Sequence, residues 1–105
     1  MHEIKEKYST KDFPELFESY REKVFNLAHK MTGDINVAED VTQETFLKCF
    51  ENLEKFRGDS HVFTWLYTIT KNNCLRIIEK QKRNTSKELE QLLNTVSDGQ
   101  IDYLD

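Results

Sequence analysis

The chain has 105 residues, 37% hydrophobic and 11% aromatic, with a formal net charge of −4. That length bounds it to one small domain. Three glycines and one proline are too few for a many-turned β-sandwich, and the negative balance excludes a bulk polyanion binder. The charge is segregated: residues 1–33 are neutral, 34–53 and 84–105 each carry −4, and 54–83 carry +4. An acidic stretch beside a basic one points to two partners, or to one partner with two surfaces. Cys49 and Cys74 stand alone, without C-x-x-C or a Cys/His cluster. The reading is therefore two buried reduced thiols, no metal, no disulfide and no cofactor. With no signal peptide and no apolar run near membrane-spanning length, a soluble cytoplasmic protein without membrane insertion is expected.

Residues 1–11 are polar and read as a loose N-terminal arm, or as a short helix on Ile4 and Tyr8. Asp12 has the form of an N-cap, with Pro14 just inside the helix start and Glu15 in the first turn. Phe13, Leu16, Phe17, Tyr20, Val24, Leu27, Ala28 and Met31 follow at three- and four-residue steps and make one apolar face. Gly33 ends this first helix as a left-handed cap. His29 is a surface or half-buried residue, because no second ligand is spaced to meet it.

Asp34-Ile35-Asn36 is the turn, and Asn36 with Glu39 three residues on reads as a capping box. The second helix spans about Val37 to Leu53. At about 100° per residue, Ala38, Val41, Thr45, Phe46, Cys49 and Leu53 form a broad buried arc, and Asp40, Gln43, Glu44 and Glu51 fall opposite. Leu47 projects into that acidic arc, with Phe50 at its edge. A Leu framed by Gln and carboxylates is either a binding hot spot with a polar rim or an ordinary solvated face.

Glu54–Ser60 is a connector with Phe56 tucked onto the core, Gly58 in a tight turn, and Asp59 or Ser60 as the next cap. The third helix runs from about His61 to Lys82. Val62, Trp65, Leu66, Ile69, Cys74 (or Asn73) and Ile77 face the bundle, Trp65 as core; Phe63 and Tyr67 read either way. This segment interleaves basic residues with aromatics, a pattern that suits unpaired nucleic acid, where cations meet phosphates and flat rings receive bases. Equally, the rings can be core and the charges a solvated helix face. Asn84-Thr85-Ser86-Lys87 reads as a linker. Leu89, Leu92 and Leu93 mark a further helical turn or two, which Ser97-Asp98-Gly99 breaks. No phosphate-cradling glycine loop, nucleophile elbow or metal spacing is present, so the chain reads as a non-enzyme. The fold class is all-α, a compact three- to four-helix bundle.

The strings AEDVTQETFLKCF, FRGDS, FTWLYTITKNN and KQKR, in that order, resemble region 2 of a bacterial sigma factor of the sigma-70 family, extracytoplasmic-function group. The resemblance covers about Phe13 to Arg83. It implies a domain that binds core RNA polymerase, at the β′ coiled coil, through Asp40, Gln43, Glu44, Leu47 and Asn52. It also implies recognition of the non-template strand of the minus-ten promoter element by the loop and third helix. There, Arg57, Asp59, Ser60, His61, Phe63, Tyr67, Lys71, Asn72, Arg76 and Lys80 are the implied DNA contacts. The resemblance implies Asp59, Ser60, His61 and Val62 as candidates for a flipped-base pocket, and Lys71, Arg76 and Lys80 as phosphate contacts. A partner anti-sigma factor is implied as well. The expected organisation is an arm over 1–11, the region 2 domain over 12–83, and an acidic linker or tail over 84–105 with no region 4 domain. The contrasting expectation is a helical protein-interaction module without a DNA role.

Overall fold

The computed structural model describes residues 7–58 and 60–97, at 96 and 97 the backbone alone. A 3₁₀ turn over Thr10–Asp12 leads into α1 (Phe13–Thr32). α2 (Ile35–Asn52) follows, then a second 3₁₀ turn over Leu53–Lys55, and α3 (Val62–Ser97). The all-α class therefore holds among the described residues, with three α-helices. Two compact units divide the chain, Met1–Leu75 and Arg76–Asp105.

In the first unit α1 and α2 pack on one another across a two-residue connection, Gly33-Asp34. Gly33 stops α1 with φ of 71°, a left-handed conformation that costs an L side chain and not glycine, and its N–H donates to the His29 carbonyl. The caps differ from the expected ones. Asp12 sits in the 3₁₀ turn with helical backbone angles, and its carboxylate Oδ2 accepts the Ser9 N–H at 2.8 Å; it makes no side-chain cap on α1. Asp34, not Asn36, caps α2, its Oδ1 accepting the N–H groups of Asn36 at 2.8 Å and Val37 at 3.1 Å. The helix thus starts two residues earlier than expected. At α3 the expected cap was Asp59 or Ser60. Asp59 lies outside the described residues; His61 meets the N–H groups of the first turn. Its Nδ1 accepts the Phe63 N–H at 3.0 Å, and its carbonyl accepts from Thr64 at 2.9 Å and Trp65 at 3.3 Å.

The core joins Leu16 and Val24 of α1, Phe46 and Cys49 of α2, Leu53, and Val62 and Leu66 of α3. All six residues of the expected buried arc on α2 are buried. Tyr8 belongs to this core and packs against Phe56 at a ring separation of 5.7 Å, so the arm is anchored from Tyr8 onward; Ile4 lies outside the described residues. Phe56 in turn stacks on Trp65 at 4.8 Å, which holds the connector down on the bundle. The buried Thr70 is satisfied locally: its Oγ1 donates to the Leu66 carbonyl at 2.7 Å. Asn73 and Cys74, alternatives in the sequence, are both buried.

In the second unit the linker expected at Asn84–Lys87 is helical, and α3 continues to Ser97. Residues 84–95 hold neither Gly nor Pro, and good helix formers (Lys87, Glu88, Leu89, Glu90, Gln91, Leu92, Leu93) follow the Asn-Thr-Ser run. Asp98 and Gly99 of the expected break, and the rest of the acidic tail, lie outside the described residues.

Candidate functional site

Two surfaces of the first unit carry the residues singled out from the sequence. The first is the outer face of α2. Burying Ala38, Val41, Thr45 and Cys49 turns the positions between them outward. Asp40 and Gln43 are exposed and Glu44 half-buried, and Leu47 among them is 58% exposed, a large apolar side chain in an acidic frame. Phe50, 45% exposed, extends the apolar patch and rests edge-on against Phe13 of α1 at 5.2 Å. Lys48 lies 3.9 Å from Glu44 one turn away, an exposed pair of small energetic weight. Asn52 turns its amide inward on the helix, donating to the Lys48 carbonyl at 2.9 Å.

The second surface is the connector and the start of α3. Arg57 is exposed, Gly58 turns the chain with φ of 75°, and Ser60 and His61 are half-buried. Phe63, Tyr67 and Lys71 form one four-residue row along α3. The two rings meet at 6.4 Å and 69°, and Tyr67 is 43% exposed. Lys71 and Asn72 are exposed beyond them. Val62, which the family resemblance places among the base-pocket residues, is 6% exposed and belongs to the core with residues of α1 and α2. Asp59 lies outside the described residues. Arg76 and Lys80 belong to the second unit and are exposed there.

Structure adds three features that spacing alone did not give. A cleft of about 270 Å³ opens between α1 and the start of α3, lined by Tyr20, Lys23, His61, Phe63 and Thr64. A second, of about 330 Å³, lies between α1 and α2, lined by Phe17, Arg21, Glu22, Phe25 and Thr42. Between α2 and α3, Lys48 Nζ donates to Asn73 Oδ1 at 3.2 Å, and Asn73 Nδ2 to Thr45 Oγ1 at 3.4 Å. Sequence spacing shows Tyr20 and Phe17 only as core positions, and Lys23 only as one charge of a neutral segment. The single sequence signal for the first cleft was the aromatic excess at 56–67, which names one wall and not the other.

Burial pushes the Cys49 thiol up to about 11 and raises that of Cys74. Neither is a nucleophile near neutral pH. Among the described residues no group of His, Cys, Asp and Glu could hold a metal ion, and no helix is long and apolar enough to cross a membrane.

A family model described as sigma-70 region 2 matches residues 16–84. The ECF RNA polymerase sigma factor SigG of Mycobacterium tuberculosis is 39% identical over 72 residues, which are 69% of this chain and 20% of that protein. SigW of Bacillus subtilis, an ECF RNA polymerase sigma factor, is 33% identical over 70 residues, 67% of this chain and 37% of its own. The RNA polymerase sigma factor YlaC of the same organism is 33% identical over 94 residues, 86% of this chain and 54% of its own. The chain thus spans between a fifth and about half the length of these curated relatives.

Proposed function

The chain belongs to the sigma-70 region 2 family, in its extracytoplasmic-function branch, and from that membership we propose that it holds core RNA polymerase through the outer face of α2 and reads the melted minus-ten promoter element through the connector and α3. The observation that carries the docking reading is Leu47, 58% exposed beside Asp40, Gln43 and Glu44. An apolar anchor with an acidic rim suits a helix of the opposite charge, such as an Arg-rich arm of the polymerase β′ coiled coil. Asn52 supports the end of that face, since its amide closes the last turn of its own helix.

The DNA reading draws on the row Phe63, Tyr67 and Lys71 with Asn72 beside it, and on Arg57, Ser60 and His61 in the connector. Arg76 and Lys80 add phosphate contacts, and Asp59 belongs to the same loop. Unstacking a base costs a few kcal/mol, which is recovered when its edge is read and its neighbours' phosphates are neutralised. In this role the protein catalyses no reaction and takes no cofactor. It works in the cytoplasm, where polymerase is, and an anti-sigma partner controls it by covering one of the two surfaces.

Capture of a β′ coiled-coil fragment tests the reading. The parent chain is expected to retain it, and Leu47→Asp to lose it with unchanged helical circular dichroism, since Leu47 contributes little to the core. Equal capture by a folded Leu47→Asp variant would remove α2 as the docking face. No capture by the folded parent would return the chain to a helical interaction module.

A further inference from the structure

We propose that the second unit is a self-association element: the distal part of α3 pairs antiparallel with the same stretch of a second copy of this chain, seated on Leu89, Leu92 and Leu93. The pairing does not depend on the polymerase and promoter contacts above. Every residue from Glu79 to Asn94 is exposed. Leu89, Leu92 and Leu93 are each more than half exposed, which puts three large apolar side chains in water within little more than one turn. Helices in proteins are held mainly by packing an apolar face, and an uncovered stripe on a long helix calls for a partner. The leucines are in phase with what precedes them. Ile78, Lys82, Thr85, Leu89 and Leu92 follow at alternating steps of four and three, the period of a two-helix seam, and Leu93 flanks it. Arg76 and Lys80 fall on the opposite side of the helix and stay outside the seam.

Charge decides both the occupant and its direction. In the first half of the stretch Arg76, Lys80, Lys82 and Arg83 outweigh Glu79; in the second, Glu88 and Glu90 outweigh Lys87. A parallel pair would set Lys82 on Lys82 of the second copy inside the seam, and one basic half along the other. An antiparallel pair sets the basic half of each copy along the acidic half of the other. It also brings Lys82 opposite Leu92 and Thr85 opposite Leu89, so that the lysine stem covers the leucine while its ammonium reaches the edge. The stretch is thus complementary to itself in one direction, as a two-fold pair requires. This register leaves one like-charge contact: Glu88 faces Glu88 of the second copy beside the two-fold axis.

Sedimentation equilibrium of the whole chain at low salt tests the pairing. With rising concentration the parent should pass from the 12.5 kDa monomer toward twice that mass. For so short a seam the dissociation constant should be on the order of 100 µM. The double variant Leu89→Gln, Leu92→Gln should stay monomeric. Glutamine is close to leucine in helix propensity, so its 222 nm signal should match that of the dilute parent. Glu88→Gln removes the repulsion at the axis and should tighten the pair about threefold; in a parallel pair Glu88 faces no like charge. Leu47→Asp, altered on the exposed patch of α2, should associate as the parent does. A parent that stays monomeric, a double variant that still dimerises, or a Leu47→Asp variant that does not, would overturn the pairing. An unchanged affinity in Glu88→Gln would overturn its antiparallel register.

Discussion

Single residues decided the helix starts. Asp34 and Asn36 are both good caps by type, and Asn36 even has Glu39 three residues on. Asp34 takes the role because α1 ends in the left-handed Gly33, which sets the chain so that the next extended residue is Asp34, at φ −133° and ψ 120°. Asp34→Ala should therefore cost about 1 kcal/mol in urea unfolding, and Asn36→Ala only a few tenths. At α3 the ring nitrogen of His61 reaches the second N–H of the helix as a carboxylate would. The turn that lets His61 cap the helix also buries its neighbour Val62.

On the scale of elements, α2 was the most legible and α3 the least. The apolar positions of α2 repeat cleanly, and periodicity reports which face of a helix is buried whatever covers it. Over residues 84–87 the sequence is polar and aperiodic, and Asn-Thr-Ser has the composition of a linker. Weak propensity does not stop a helix already nucleated on its N-terminal side; Gly and Pro do. Ser86→Pro puts this to measurement. It removes a backbone donor and clashes with the preceding turn, so the circular-dichroism signal at 222 nm should fall. The fluorescence of Trp65, packed on Phe56 in the first unit, should stay unchanged. An unchanged 222 nm signal would mean that the segment is not helical in solution.

For the molecule as a whole, the two thiols report on folding. Cys49 and Cys74 are fully buried, and burial raises the pKa of each, that of Cys49 to about 11. The folded state thus holds its thiol protons more tightly than the unfolded chain. The stabilisation is complete below about pH 9 and is lost as pH rises toward 11. Two outcomes follow. A thiol-specific disulfide reagent at pH 8 should label neither cysteine in the native protein and both in urea, and the urea midpoint should fall between pH 9 and 11. Rapid native labelling would contradict the buried positions.

The sequence by itself determined the helical class, the buried arc of α2, the acidic frame around Leu47, the basic and aromatic character of the connector and α3, and through its motifs the family. Each of these is a property of one segment, and local spacing is enough to show it. Only the tertiary structure decided that Tyr8 enters the core, that Lys48 of α2 reaches Asn73 of α3 at 3.2 Å, and that Tyr20 and Lys23 of α1 stand beside Phe63. Those meetings depend on where two helices cross and in what register. Crossing is set by how whole side-chain surfaces interlock, information spread over all the packed elements and absent from the period of any one of them.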